Sequence, residues 1–400
     1  LYDTQRSHST RFDALKYLES ISDHCTICHK CLAHCPVNID TGVVSVLERE
    51  ILAARHYKHS PRVTTLSLRY LESRSPVFNR LFRSTVLEWG GRFQRLGTRV
   101  VRHVGQAGSG GRISSLLSSP LPPPSRDTLW DYLPTCRPNQ AVLLQPDGGS
   151  APAVFYFPGC GSERLFSDIG TASLYLLLKG GCQVVVPPPY LCCGFPHKVN
   201  ASREQHQQIA LRNTIIFNQI REMLSYLDFV ACVVSCGTCR EAVGELEGIF
   251  GCGIEDVSHF ALSRLAPRAD GLRYLYHAPC HDSLDGSGCD LVAHRLGAEV
   301  RSVPHCCSQA GTLALSRPDL SERMLRRKAE AIEAVCAGGE AEQHWVLLTN
   351  CPSCLQGLGR LDDRRLEARH LAVELARLLG GEDWRAELRT RLENREVVTF

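Results

Sequence analysis

Methionine is nearly absent from this 400-residue chain: Met223 and Met324 are the only two, and the first residue is Leu1. The sequence is therefore expected to be part of a longer polypeptide, with segments upstream of Leu1. Long apolar runs are lacking too. No stretch of about eighteen apolar residues occurs, so no spanning helix is expected within the sequence. The opening LYDTQRSHSTRF lacks the charged-then-apolar layout of a secretory signal. Nor is there an excess of one charge. The 45 basic and 42 acidic residues leave a net charge of +3, so nucleic acid is not expected as a main partner. The length exceeds what one hydrophobic core usually serves, and two or three domains are expected.

What the chain has in abundance is cysteine, 20 residues of it. In a secreted chain they would suggest disulfides. Most fall in C-x-x-C or Cys-Cys pairs beside proline and glycine, the grouping of metal ligands, which points to a reducing compartment and a cytoplasmic location. The first group is Cys25, Cys28, Cys31 and Cys35, followed by Pro36. This is the C-x2-C-x2-C-x3-C-P run of bacterial ferredoxins, in which a tight loop offers three thiolates to one [4Fe-4S] cube; zinc is the alternative metal. In two-cluster ferredoxins the fourth cysteine ligates the other cluster. No second such run occurs, so either Cys35 closes a lone cluster or its companion run lies upstream of Leu1, and the upstream run is expected.

Residues 1–104 read as a helical domain. RFDALKYLESI leads into the cysteine run, VVSVLEREILAARH leads out, and helical periodicity continues through LSLRYLES, VFNRLFRSTVLEW and FQRLGTRVVRHV. Arginine dominates this stretch, as an ordinary solvated helix face or as a docking face for an acidic partner or anionic lipid headgroups. The second alternative would bring peripheral contact with the inner face of a membrane. Glycine, serine and proline from Gly105 onward mark a linker, placed at 105–150.

Beyond the linker the chain repeats itself. AVFYFPGC, CQVVVPPPYLCCG and DFVACVVSCGTC in residues 151–270 return as RYLYHAPC, AEVRSVPHCCS and HWVLLTNCPSC in residues 271–400, with helical stretches between. The order strand, helix, strand, helix, strand predicts a parallel, Rossmann-like α/β sheet in each copy, with ligands beyond the carboxyl ends of the strands. Every one of these strands runs into cysteine. Cys160, Cys192, Cys193, Cys236 and Cys239 are expected at one sheet edge, and Cys280, Cys306, Cys307, Cys351 and Cys354 at another. Vicinal cysteines are awkward as two ligands of one zinc but can bridge neighbouring irons.

At these residues the chain resembles the cysteine-rich CCG family, typified by the CCG-bearing subunit of heterodisulfide reductase, by glycolate oxidase and anaerobic glycerol-3-phosphate dehydrogenase iron–sulfur subunits, and by lactate-utilisation proteins. That resemblance implies a noncubane [4Fe-4S] cluster on one or both five-cysteine sets. The wider set HCTICHKCLAHCP, FYFPGCGSERLF, PPYLCCGFP, VVSCGTC, CCSQAGTLALSRPDLS and NCPSCLQGL resembles the C-terminal half of bacterial FAD/FMN-containing dehydrogenases related to D-lactate and D-2-hydroxyglutarate dehydrogenases. It implies an FAD domain upstream, on the same polypeptide or a flavoprotein subunit, and places a ferredoxin-like helical segment before the two modules.

One departure stands out: Gly194 follows Cys192-Cys193, whereas Ser308 follows Cys306-Cys307. Serine adopts glycine's backbone angles only at a cost, so the second site is expected to be altered or less well occupied. His24, His29, His34, His281 and His305 flank the thiols and are read as surface residues or hydrogen-bond donors to sulfur rather than ligands. Cys136, Cys182, Cys232, Cys252, Cys289 and Cys336 lie outside the repeat and are read as small buried hydrophobes.

The expected activity is oxidoreductase: electrons from an upstream flavin pass through the ferredoxin-type cluster and the modules to a quinone or protein acceptor. No residue here is expected to oxidise the 2-hydroxy acid itself. Two alternatives are disulfide reduction at a noncubane cluster and a zinc-bound docking scaffold.

Overall fold

The computed structural model describes residues 22, 25–104, 122–146, 151–309, 313–337, 344–361 and 365–400. The helix expected at RFDALKYLESI, His24 and residues 105–121 and 147–150 of the linker lie outside these residues.

Two sheets organise the chain. The first has the order β10-β1-β3-β2-β4-β5, built from β1 Gln140–Leu144, β2 Ala153–Phe157, β3 Gln183–Val186, β4 Phe229–Val234, β5 Ile254–Asp256 and β10 Arg395–Thr399. The second has the order β7-β6-β8-β9, from β6 Arg273–Tyr276, β7 Val300–Ser302, β8 Trp345–Thr349 and β9 Leu366–His370. All neighbours in the second sheet are parallel, as are β3, β2, β4 and β5 in the first. The central strands β2 and β8 are buried on both faces, which is why AVFYF and WVLLT are unbroken apolar runs without alternation.

Each repeat holds one strand more than its sequence suggests. β5 follows helix Leu246–Phe250 and β9 follows helix Pro352–Leu358, and a helix starts at once behind each strand, capped by the side chains of Asp256 and His370. Two further strands cross the expected boundaries. β1 lies inside the stretch read as linker, and β10 lies at the end of the second copy's segment, yet the two pair antiparallel and extend the first sheet. The chain's end thus returns to the first module.

The modules share a core. Helices Ser167–Lys179 and Val257–Arg264 of the first copy pack against Leu371–Gly380 and Trp384–Arg391 of the second. Tyr156, Leu176, Tyr274, Leu375 and Trp384 belong to this one apolar cluster. On the opposite face of the first sheet, Phe155 and Phe157 meet Phe217 of helix Arg203–Met223.

Among the described residues, 25–104 form helices and no strand: Thr41–Ala54, Arg62–Glu72, Pro76–Phe82, a widened turn Arg83–Gly90, and Gly91–Val104. Several arginines of this stretch are anchors rather than a solvated face. Arg83 is buried and donates to the carbonyls of Arg164, Ser125 and Asp127. Arg164 in turn donates to Tyr70 O at 2.7 Å and Asn79 Oδ1 at 3.2 Å, with its guanidinium over the rings of Tyr70 and Tyr190. Other side chains on these helices, including Val77, Leu81, Trp89, Phe93 and Leu96, are exposed.

Candidate metal centre

Both quintets of thiols sit where parallel strands end. Cys160 follows β2, Cys192 and Cys193 follow β3, and Cys236 and Cys239 follow β4; the second module repeats the arrangement behind β6, β7 and β8. Cys236 and Cys351 occupy the positions just before helices Gly237–Ala242 and Pro352–Leu358, so each C-x-x-C pair is presented by the start of a short helix. A tyrosine steadies each of these turns. Tyr156 Oη lies 3.2 Å from Ser235 Oγ, and Tyr276 donates to Asn350 Oδ1 at 2.9 Å, both bonds holding the residue before the C-x-x-C.

Within the first module Cys192 contacts Cys160 and Cys193, Cys193 contacts Cys239, and Cys239 contacts Cys236. Within the second, Cys306 contacts Cys280 and Cys307, Cys307 contacts Cys354, and Cys354 contacts Cys351. The two rows then join, because Cys236 contacts Cys351 across the module boundary. The N-terminal loop adds to the far end, where Cys28 contacts Cys280. Cys25 and nine of the ten module cysteines line one cavity of about 260 Å³.

Crowding sets the thiol protonation. The hydrogen bond with Cys280 is the main influence that brings Cys28 down to about 5. Bonds from Cys280 and Cys307 bring Cys306 down to about 2, while its neighbour Cys306 pushes Cys307 up to about 12. Cys192 and Cys236 are likewise held low by neighbouring thiols, and Cys160, Cys193 and Cys239 are raised. A buried row of thiols ionises only in alternation unless positive charge lies between the sulfurs. Iron bound among these thiols would supply that charge, and the donor set, all sulfur and two adjacent pairs, fits iron–sulfur clusters.

The loop carrying Cys25 to Cys35 is tied down at three places. Arg49, buried on helix Thr41–Ala54, donates to Cys25 O at 2.8 Å, Ser22 O at 2.6 Å and Val199 O of the first module at 2.7 Å. His281 joins all three parts of the chain, with Nε2 3.1 Å from Ile27 O and Nδ1 2.7 Å from Glu241 of the first module. Burial of its ring opposes charge, but the Glu241 carboxylate lifts its pKa above the usual histidine value. His29 pairs with Asp40 at 2.5 Å. Cys31 is exposed and bonded to Thr41, and Cys35 accepts from the N–H of Ile39 at 3.3 Å. His34 lies 3.1 Å from the carbonyl of Lys30 at the surface.

Ser308 and Gly194 make the same turn. Gly194 has φ +83° and Ser308 φ +67°, both left-handed, and each N–H points back at the first cysteine of its pair. The serine therefore preserves the geometry of the vicinal pair at the cost of backbone strain.

Residues not anticipated complete the second site. His277 is 1% exposed, and Lys328, from the interior of helix Pro318–Cys336, is 0% exposed. Burial first, then the Lys328 ammonium, hold His277 neutral, its pKa pushed down to about 3. Among the described residues, one group of three metal-binding side chains has its ligand atoms within 4.8 Å of one another: His277, Cys307 and Cys354. Of the cysteines outside the repeat, Cys182 and Cys232 are buried; Cys136, Cys252, Cys289 and Cys336 are half-buried, with Cys252 Sγ 3.8 Å from Cys232 Sγ.

Comparison with known proteins agrees with this geometry. Residues 154–243 and 274–359 each match the family described as CCG, cysteine-rich domain. The chain is 25% identical to a probable glycolate oxidase iron–sulfur subunit of Bacillus subtilis, over 89% of this chain and 81% of that one. It is 25% identical to lactate utilization protein A of Exiguobacterium sp., over 52% of this chain and 89% of that protein. It is 24% identical to a fumarate reductase (CoM/CoB) subunit of Methanothermobacter marburgensis over 50% of this chain, and spans only 40% of that relative. Two segments of the chain thus match the CCG cysteine-rich domain and are similar to iron–sulfur subunits of oxidoreductases, and their thiols meet in one row.

Proposed function

We propose that this chain is the iron–sulfur electron-transfer portion of a flavin-linked 2-hydroxy-acid dehydrogenase. Electrons come from a flavin on an upstream domain or a flavoprotein subunit and leave to a quinone or protein acceptor. Cys25, Cys28, Cys31 and Cys35 would hold a ferredoxin-type [4Fe-4S] cluster, and the two module quintets would hold noncubane clusters. Such clusters, when bound, supply reversible one-electron transfer at potentials set by their surroundings. The observation that carries this reading is the unbroken sequence of thiol contacts from Cys28 through Cys280 and Cys351 to Cys236 and Cys160.

The chain's own residues provide spacing and shielding. Arg49 and His281 fix the N-terminal loop against both modules, so its thiols meet the second quintet at a set distance. The strand ends and helix starts fix the ten module thiols. Among the described residues no helix is long and apolar enough to cross a membrane. A cytoplasmic location is the reading that thiolate clusters support, because they are assembled in reducing compartments, and the exposed Val77, Leu81, Trp89, Phe93 and Leu96 beside arginines would support peripheral contact with an anionic membrane or docking of the flavoprotein.

The test is anaerobic mixing of cluster-loaded protein with a photochemically reduced flavin, following cluster reduction optically and re-oxidation by a soluble quinone. Fast reduction and quinone-dependent re-oxidation are expected. Clusters that stay oxidised beside reduced flavin would refute the relay. Spectral changes on adding disulfides, with no response to quinone, would favour disulfide reduction instead.

A further inference from the structure

The two modules differ at one buried position beneath their thiols. Three residues before the first cysteine of each quintet stand Phe157 in the first copy and His277 in the second. In the first, Phe157 packs edge-on against Phe217 of the long helix that follows the Cys-Cys pair, with ring centroids 5.8 Å apart. In the second, the corresponding long helix supplies Lys328, whose Nζ lies 3.0 Å from His277 Nδ1. An apolar pair has been exchanged for an ammonium and an imidazole, both without solvent contact. Burying such groups is unfavourable unless they are bonded, so their placement calls for a role.

The hydrogen bonds around Lys328 decide which ring nitrogen carries the proton. An ammonium has three N–H groups, and three acceptors stand nearest: Pro304 O at 2.8 Å, Val303 O at 2.9 Å and His277 Nδ1 at 3.0 Å. Nδ1 is therefore an acceptor, and the neutral ring carries its proton on Nε2. That nitrogen is buried with no hydrogen-bond partner, and a ring nitrogen of His277 lies within 4.8 Å of Cys307 and Cys354 Sγ. With Nδ1 occupied by Lys328, Nε2 is the atom left to face sulfur.

Resting on the cluster reading above, we propose that His277 donates its Nε2–H to sulfur of the second centre, with Lys328 as the residue that positions the ring. His277 is then a hydrogen-bond donor and not an iron ligand, because the lone pair a ligand needs is on the nitrogen that Lys328 holds. A donor to cluster sulfur stabilises the reduced, more negative form and raises the potential. The first centre has phenylalanine there and lacks the donor, so the two centres, alike in cysteine count, differ in potential, and electrons collect at the second.

The experiment compares wild type with His277→Phe, which installs the first module's residue. Iron and acid-labile sulfide should be retained, and EPR-monitored titration should show one centre shifted to lower potential with the others unmoved. Unchanged potentials in a variant with full iron content would overturn the proposal. Should His277→Phe fail to assemble, wild-type protein labelled with ¹⁵N-histidine decides the matter. A weak nitrogen coupling with an exchangeable proton on the reduced centre is expected, and either a strong coupling of direct ligation or no coupling at all overturns it. Wild-type protein lacking iron and sulfide fails the cluster reading itself, a result distinct from intact clusters with unmoved potentials.

Discussion

Gly237 stands where the two modules meet, directly behind Cys236, and replacing it with alanine tests how tightly they are locked. A Cβ there would lie 1.9 Å from the carbonyl oxygen of His281, 2.7 Å from its carbon and 2.9 Å from the N–H nitrogen of Ser283. All three are backbone atoms, and ordinary contact begins near 3.4 Å, so one segment must retreat by roughly 1.5 Å. Neither side yields easily, since His281 is held by Glu241 and Ile27, and Ser283 is bonded to Asp256 of the first module. Overpacking of this kind costs about 1–3 kcal/mol, and the rigid surroundings place Gly237→Ala near the upper end. Alanine's better helix propensity offsets less than about 1 kcal/mol of that. The expected net loss is about 2 kcal/mol, read as a fall of about 2–4 °C in melting temperature. Gly248→Ala is the control, because its added Cβ meets nothing within 4 Å, and it should be neutral or slightly stabilising. In metal-free protein, iodoacetamide should also label Cys236 and Cys351 faster in Gly237→Ala. If it melts with the control and labels like wild type, the close junction between the thiol rows is wrong.

Replacing Arg49 with methionine removes three hydrogen bonds that dock the N-terminal loop, a loss of about 3 kcal/mol at about 1 kcal/mol each. Amide exchange of residues 25–54 should accelerate about 100-fold while the sheets stay protected, and uniform protection would contradict the docking. Ser308→Gly should relieve a left-handed backbone and stabilise by about 0.5–1 kcal/mol in urea unfolding, leaving the cysteine positions unchanged; destabilisation would mean the serine has a bonding role. Glu374 is buried, and although burial opposes its charge, bonds from Arg377, Tyr274 and Arg369 hold its carboxyl below the usual range. Its stabilising contribution is therefore complete above the unfolded carboxylate value of about 4.3 and disappears as pH falls through the lower folded value. Glu374→Gln should cost about 2 kcal/mol at pH 7 by removing the buried carboxylate that Arg369 and Arg377 share, leaving them only the more exposed Glu367 and Asp270, and the gap to wild type should narrow in acid; a gap independent of pH would exclude the ion pair as its source.

The parts of the fold legible in sequence are those written by burial. β2, β4, β6 and β8 are apolar runs that end at cysteine, and helix-length polar stretches separate them. β5 and β9 are hard to read because one is three residues long and the other, Leu-Glu-Ala-Arg-His, alternates too weakly at a half-covered edge. The pairing of β1 with β10 joins residues such as Gln140 and Thr399, a separation no local pattern reports. The membership of each thiol row follows from spacing, but the contact between Cys236 and Cys351 depends on how whole modules pack. Lys328 is hidden for a related reason: a lysine on an amphipathic helix reads as solvated, and the carbonyls of Val303 and Pro304 that receive it come from a distant loop. Arg83 and Arg164 are hidden in the same way, being anchors to carbonyls far along the chain.

The most direct measurement is iron and acid-labile sulfide content, with EPR, on protein purified without oxygen, alongside variants that replace Cys193 or Cys307 with serine. Wild type should be brown, with iron and sulfide in near-equal amounts, and each variant should lose the signal of one module while keeping that of the other. Colourless wild type, or zinc found in place of iron, would contradict the assignment of iron–sulfur clusters to these thiols.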